Sequence, residues 1–257
     1  MMVNVRQRLS AKSAALLSSI EGGLPRIMIG WLVVAALASA LRVAASPLHG
    51  AAPQATTILP YLLLVLAPIG SMVLALRWFA DGDRLAQPST RLARVGRWTR
   101  VSRETAMRHT LYGTSGIMVS LLVGMLLNVP VRAAEYLAAM PALAGPVPHW
   151  LGMLHTLMTL DVVLLSSLYA IAFVAALRRV PLFPRLLAAI WMVDLAMQMI
   201  IANLVAGTEG LPPSVAAPLE MLLDGNVKKV LISIGLWLPY LLLSQRVNVT
   251  YRHRIAD

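Results

Sequence analysis

Six runs of apolar residues dominate this sequence: 27–45, 58–79, 111–129, 150–177, 186–205 and 227–243. Crossing about 30 Å of hydrocarbon takes about 20 helical residues. In lipid every backbone N–H and C=O must be satisfied within the protein, which leaves only helices and closed barrels. The runs are solidly apolar and do not alternate, so helices are expected and a barrel is not. The expected fold is all-α, a polytopic membrane protein of six transmembrane helices. The sixth run is the shortest in its uninterrupted part, 230–243, and Lys228 and Lys229 must snorkel outward to lengthen it.

Composition agrees. The 257 residues are 58% hydrophobic and 13% charged, against about 45–50% and about 25% in ordinary soluble domains. Too little polar surface remains for a cytosolic globular enzyme or a disordered tail protein. The chain has no cysteine, which excludes disulfides, Cys-ligated zinc, iron–sulfur clusters and thiol nucleophiles.

Basic residues orient the spans. With the N-terminus inside, 18 of the 22 Lys and Arg fall on the cytoplasmic side, leaving Arg42, Arg132, Lys228 and Lys229 outside. That asymmetry predicts both termini inside. The net charge of +11 is then a topology signal, and nucleic acid is not an expected partner. Residues 37–40 resemble a signal-peptide cleavage site. The long polar leader and spanning length of the first run favour its retention as a helix. The expected organisation is a cytoplasmic segment 1–26, two helices in 27–79, a basic cytoplasmic loop 80–110 and a four-helix module 111–252. Residues 12–20 are expected along the inner surface.

The basic loop carries Arg91, Arg94, Arg97, Arg100 and Arg103. At about 100° per residue, this spacing of three fans the arginines around a helix rather than along one stripe. An interfacial segment meeting anionic lipid headgroups is expected, with Trp98 as anchor; a plain solvated loop is at least an equal alternative, and a partner-docking loop is a third. Gly116, Ser120 and Gly124 repeat every four residues in the third run, the spacing that lets two helix backbones approach closely in lipid. Packing within the chain is favoured over a dimer face. Pro68 and Pro239 should kink their helices.

Ionisable side chains at membrane depth cost about 2.5–3.5 kcal/mol each on insertion scales. The candidates are Asp161 and Asp194, then His155, Gln198, Asn203 and Arg42. At 1.5 Å per residue, Asp161 and Arg42 both come out at about 24–25 Å above the inner basic residues, which suggests an Arg42–Asp161 ion pair. Asp194, about 13 Å up, has Gln198 one turn further on the same face. Those two form a candidate proton or cation site, weighed against a carboxyl that only fixes packing.

Gly113-Thr114-Ser115-Gly116 matches the serine motif of rhomboid intramembrane proteases. However, Ser115 is expected near the cytoplasmic side and His155 near the opposite one, beyond hydrogen-bond reach. There is no HExxH, Walker or GxGxxG pattern, and one intramembrane histidine is too few for bis-axial haem. No catalytic residue, metal site or cofactor is expected.

Trp237, Pro239 and Tyr240, followed by Ser244, Arg246-Val247 and Thr250, resemble the closing signature of a family of small bacterial inner-membrane proteins, domain of unknown function 2569. Arg178-Arg179 with Phe183-Pro184 is similar to that family's basic turn. The resemblance covers about residues 111–252 and implies a four-helix bacterial membrane module, with the first two helices as an extension. It implies no activity. The favoured expectation is a non-catalytic accessory or scaffold subunit of the bacterial inner membrane, meeting a membrane-protein partner or further copies of itself. The alternative is a small proton-linked transporter or channel using the buried carboxylates.

Overall fold

The computed structural model describes residues 2–46, 54–89 and 96–257. Six of its helices are long and apolar enough to cross a membrane. They are α1 (Met2–Ala45), α2 (Ala55–Trp78), α4 (Ile117–Ala139), α5 (His149–Leu177), α6 (Phe183–Ala206) and α7 (Pro213–Leu243). Between α2 and α4 lie strand β1 (Trp98–Arg100) and helix α3 (Arg103–Arg108); after α7 come helix α8 (Gln245–Arg252) and strand β2 (Arg254–Ala256). β1 and β2 pair antiparallel, Trp98 opposite Ala256 and Arg100 opposite Arg254. The N-terminal half of α1 reaches the same end of the bundle, where Ser13 Oγ accepts from the Gly116 N–H at 2.9 Å. We call this the terminal end and the opposite one the far end.

α5 is the axis. It is apolar on every side, the pattern of a helix surrounded by protein, and it packs against α2, α4 and α6. Two-thirds of its most apolar stretch is buried, against about a tenth for α1 and α7. The core falls into two clusters. One, toward the terminal end, gathers Met118, Leu122, Phe173, Phe183 and Leu187. The other, toward the far end, gathers Tyr61, Tyr136, Met158, Met197 and Ile201.

Four details depart from the expectations. α4 begins at Ile117 and ends at Ala139, so the third span lies several residues later than the apolar run 111–129. Residues 12–20 do not form a separate surface segment. They continue α1, whose 44 residues make a rod of about 66 Å, and Ile20 is buried against the core near the terminal end. In the basic loop, Trp98–Arg100 is a strand and Arg103 opens a short helix, so the arginines do not fan around one helix; Arg91 and Arg94 lie outside the described residues. Finally, Ser120 and Gly124 face outward, and nothing approaches within 4 Å of where a Gly124 Cβ would stand. The buried face of α4 is Met118, Leu121, Leu122, Met125 and Val129 instead. Gly116 precedes the helix altogether, at φ 73°. Large side chains fill the interface, so Ser120 and Gly124 pack against no helix among the described residues.

Candidate functional site

A polar layer divides the two core clusters, supplied by four helices. Arg132 on α4 sends Nη1 to Asp161 Oδ2 on α5 at 3.0 Å. Its Nη2 donates to Asp194 Oδ2 on α6. Nε donates to Asn128 Oδ1 one turn back at 3.1 Å, so the guanidinium is held along its whole edge. Gln198 Nε2 donates to Asp161 Oδ1 at 3.0 Å, and Asn226 Nδ2 on α7 donates to Gln198 Oε1 at 3.2 Å. Tyr169 Oη donates to Asp194 Oδ2 at 3.2 Å, and its ring lies 5.9 Å from the guanidinium carbon.

Burial makes this arrangement consequential. The Arg132 side chain is 10% exposed, Asp161 8% and Asp194 0%. Asp194 Oδ1 is buried without a hydrogen-bond partner among the described residues. One guanidinium faces two carboxylates, so full ionisation leaves a surplus negative charge in a low-dielectric interior, where uncompensated charge is most costly. A proton or a small cation removes that surplus.

Asp161, Asp194 and Gln198 are thus brought together as one site. The expected Arg42–Asp161 pair is corrected: Arg42 Nε donates to the Met140 carbonyl at 2.9 Å, and Arg132 takes Asp161. Arg42 instead helps fasten the far-end loop, along with Ser46 Oγ, which accepts from the Ala142 N–H at 2.8 Å, and Thr57 Oγ1, which donates to Leu143 O at 2.7 Å. Arg132 is the residue that sequence reasoning missed, because ending the third span at 129 put it outside. The signal was present: Val129, Ala133 and Tyr136 continue an apolar helical spacing across Pro130, and all three are buried. Lys228 and Lys229 reach back toward the far end, Lys228 to Asp224 at 2.5 Å and Lys229 to Glu135.

His155 sits near the far end, 3.3 Å from Tyr136 Oη, which also contacts Thr159 Oγ1 at 2.8 Å. Ser115 precedes α4 at the terminal end and accepts from Arg246 Nη1 at 2.8 Å. The 19 residues from Ile117 to Tyr136 place about 28 Å between those levels, so Ser115 and His155 cannot act on one substrate. Among the described residues no group of three or more His, Asp or Glu could hold a metal ion.

The residues that resemble the family signature meet at the terminal end. Ser244 joins α7 to α8, and its carbonyl accepts from Asn248 Nδ2 at 3.0 Å. Arg246 also donates to Leu111 O at 3.2 Å, and Thr250 Oγ1 accepts from the Gly113 N–H at 3.0 Å. Together they clamp the loop 111–116. Pro239 lies in the last turns of α7, where the Trp237 and Tyr240 rings meet edge-on at 5.9 Å. Nearby, Tyr251 Oη donates to Ala176 O, the end of α5, at 2.8 Å. Arg103 donates to Asp83 Oδ2 at 2.7 Å. Burial alone would raise the Asp83 carboxyl, but Arg103, with Arg179 and Arg84 adding charge, holds it below its ordinary value.

Compared with known proteins, the chain matches no family model, no curated protein and no solved structure.

Proposed function

We propose that this chain is a multi-pass protein of the bacterial inner membrane, with both termini cytoplasmic, acting as a small proton-linked transporter or channel without catalytic chemistry. The observation that carries the reading is one buried guanidinium shared by two buried carboxylates on neighbouring helices. Three ionisable groups at one level cost roughly 8–10 kcal/mol before pairing on insertion scales. Asn or Ser would tie helices together at far smaller cost. When the site takes up a proton, one carboxyl turns neutral and Arg132 serves the other; on release it is pulled toward both α5 and α6. Protonation is thereby coupled to the relative fit of those helices. With Arg132 placed inside the bundle, 18 basic residues on one side against Arg42, Lys228 and Lys229 on the other support the cytoplasmic placement of the termini. The resemblance to domain of unknown function 2569 supports the bacterial inner membrane.

A second reading, an accessory or scaffold subunit, is favoured by one feature of the same centre. Asp194 is 0% exposed, so the network as it stands is a closed tie joining four helices. The mostly unburied apolar spans of α1 and α7 would then meet a membrane-protein partner or another copy.

Infrared difference spectra of the reconstituted protein across the physiological pH range test the first reading. The protonated-carboxyl C=O band should change with pH in the wild type and be lost in Asp194→Asn or Asp161→Asn. A spectrum with no titrating carboxyl rejects the proton site. Mass spectrometry after gentle extraction tests the second, which requires another polypeptide, or further copies, in fixed stoichiometry.

A further inference from the structure

A cavity of about 780 Å³ opens at the terminal end between the start of α6 and the end of α7. Its polar wall carries Arg100, Arg185, Arg252 and Arg254, and no acidic side chain lines it among the described residues. Its other wall is apolar: Ala188 and Met192 lie one turn apart on α6, and Leu238 and Leu242 one turn apart on α7. Arg185 sits in the first turn of α6, and Met192 is about 10 Å further along the helix. The two walls therefore succeed one another along the membrane normal, cationic at the helix end and apolar toward the bilayer interior.

The charges at the helix end are crowded. The strand register sets Arg100 directly opposite Arg254, and like charges facing across a ladder repel. Arg252 Nη1 donates to a neutral group, Asn248 Oδ1, at 3.1 Å. Burial, with Arg254 and Arg185 alongside, pushes Arg252 down to about 10. An anion placed among these groups relieves the repulsion, and guanidinium groups bind phosphate oxygens with matched geometry. An inorganic phosphate would leave the apolar wall unused, whereas an amphiphile uses both.

We infer that this groove binds an anionic membrane lipid, its phosphate among Arg100, Arg185, Arg252 and Arg254 and an acyl chain along α6 and α7. The site is separate from the carboxylate centre and rests only on the chain's spanning a bilayer. The expected loop-wide contact with headgroups is thereby narrowed to a built pocket. It combines one arginine of the basic loop with three from α6, α8 and β2.

The test follows thermal unfolding and binding of the purified full-length protein in detergent with added phosphatidylglycerol, phosphatidylcholine or inorganic phosphate. Phosphatidylglycerol should raise Tm and the other two should not. The double variant Arg100→Gln/Arg254→Gln should bind phosphatidylglycerol roughly 30-fold more weakly, at about 1 kcal/mol per charge removed. Met192→Trp fills the apolar wall and leaves every charge in place. Met192 is 63% exposed, so this variant should unfold like the wild type without lipid yet lose the lipid effect. Equal stabilisation by phosphatidylcholine overturns the inference, as does equal stabilisation by inorganic phosphate, which would mark a free-anion site. Survival of the lipid effect in both variants overturns it too. None of these outcomes alters the carboxyl infrared band, so failure here is distinct from failure of the proton site.

Discussion

Arg132 lies between two carboxylates at mid-bundle, whereas Arg252 at the terminal end donates to an amide and has Arg185 and Arg254 as electrostatic neighbours. The first arginine is surrounded by more negative charge than it can neutralise. The second belongs to a cluster of one sign. Deep in lipid no external counter-ion is at hand, so the acids had to come from neighbouring helices, and the smallest available correction to their excess is a proton. At the membrane surface the bilayer itself can furnish the anion. On the two proposals above, the same side chain would take on two chemistries, set by what lies within reach of its depth.

The largest effect should come from cutting the central tie. Arg132→Met leaves two carboxylates buried without a cation and should cost about 3–5 kcal/mol, read as a lowered Tm in detergent. Replacing Asp161 and Asp194 by Leu in the same chain should restore most of that stability while removing the titrating carboxyl band. A triple variant as unstable as Arg132→Met would show that these positions need the charges to pack.

The corresponding break at the terminal end is steric. Gly82 packs on the end of α5, where a Cβ would stand 2.7 Å from the Arg178 carbonyl oxygen and 2.8 Å from Val180. Gly82→Ala should cost about 1–3 kcal/mol and leave the infrared band unchanged. At the far end, Tyr136→Phe removes the contacts to Thr159 and His155 and should cost about 1 kcal/mol, again without changing the band.

The smallest effect should be a pH dependence confined to the terminal end. Burial first, and Arg103 second, hold the His253 imidazole below its ordinary value. A base whose folded value is depressed binds fewer protons than the unfolded chain, so stability rises with pH. No penalty exists well above about pH 6.5, the unfolded value, and it grows as pH falls below that. For Asp83 the sign is that of a carboxylate with a lowered folded value: its contribution is complete above about pH 4 and is lost as pH falls through the folded value. The protection factors of β1 and β2 amides, which divide out the intrinsic slowing of exchange in acid, should therefore fall slightly from neutral to mildly acidic pH and further in strong acid. An equal fall in α5 would contradict a local origin.

Much of the architecture is legible in the sequence because lipid permits so little else. Length and hydropathy alone identify six spans, and Asp161, Asp194 and Gln198 declare themselves as rare polar residues among apolar ones. Helix ends are harder to read. The residues 111–116 are apolar enough to pass for a helix start, yet Gly113 and Gly116 adopt positive φ, and Arg246 and Thr250, more than 130 residues away, hold the segment as a loop. That displacement hid Arg132 and left Arg42 as the nearest candidate partner for Asp161. The strand pairing of 98–100 was illegible for a related reason. No local pattern in three residues announces a strand when its partner lies at the other extreme of the sequence.

That last separation has a consequence for biosynthesis. Thr99 of β1 meets Asp257, just past β2, across 158 positions of chain, and four membrane spans are made in between. At about 5–20 residues per second, the ribosome needs roughly 8–30 s to supply the second strand. Throughout that interval the arginine-bearing segment is already made, while its eventual partner does not yet exist. The terminal end is therefore assembled last, as a clasp closed over helices already inserted. A chain truncated after α7 should integrate in the membrane yet stay unfastened, and protease should cut it within 98–100 faster than the full-length protein, where those residues are paired with 254–256.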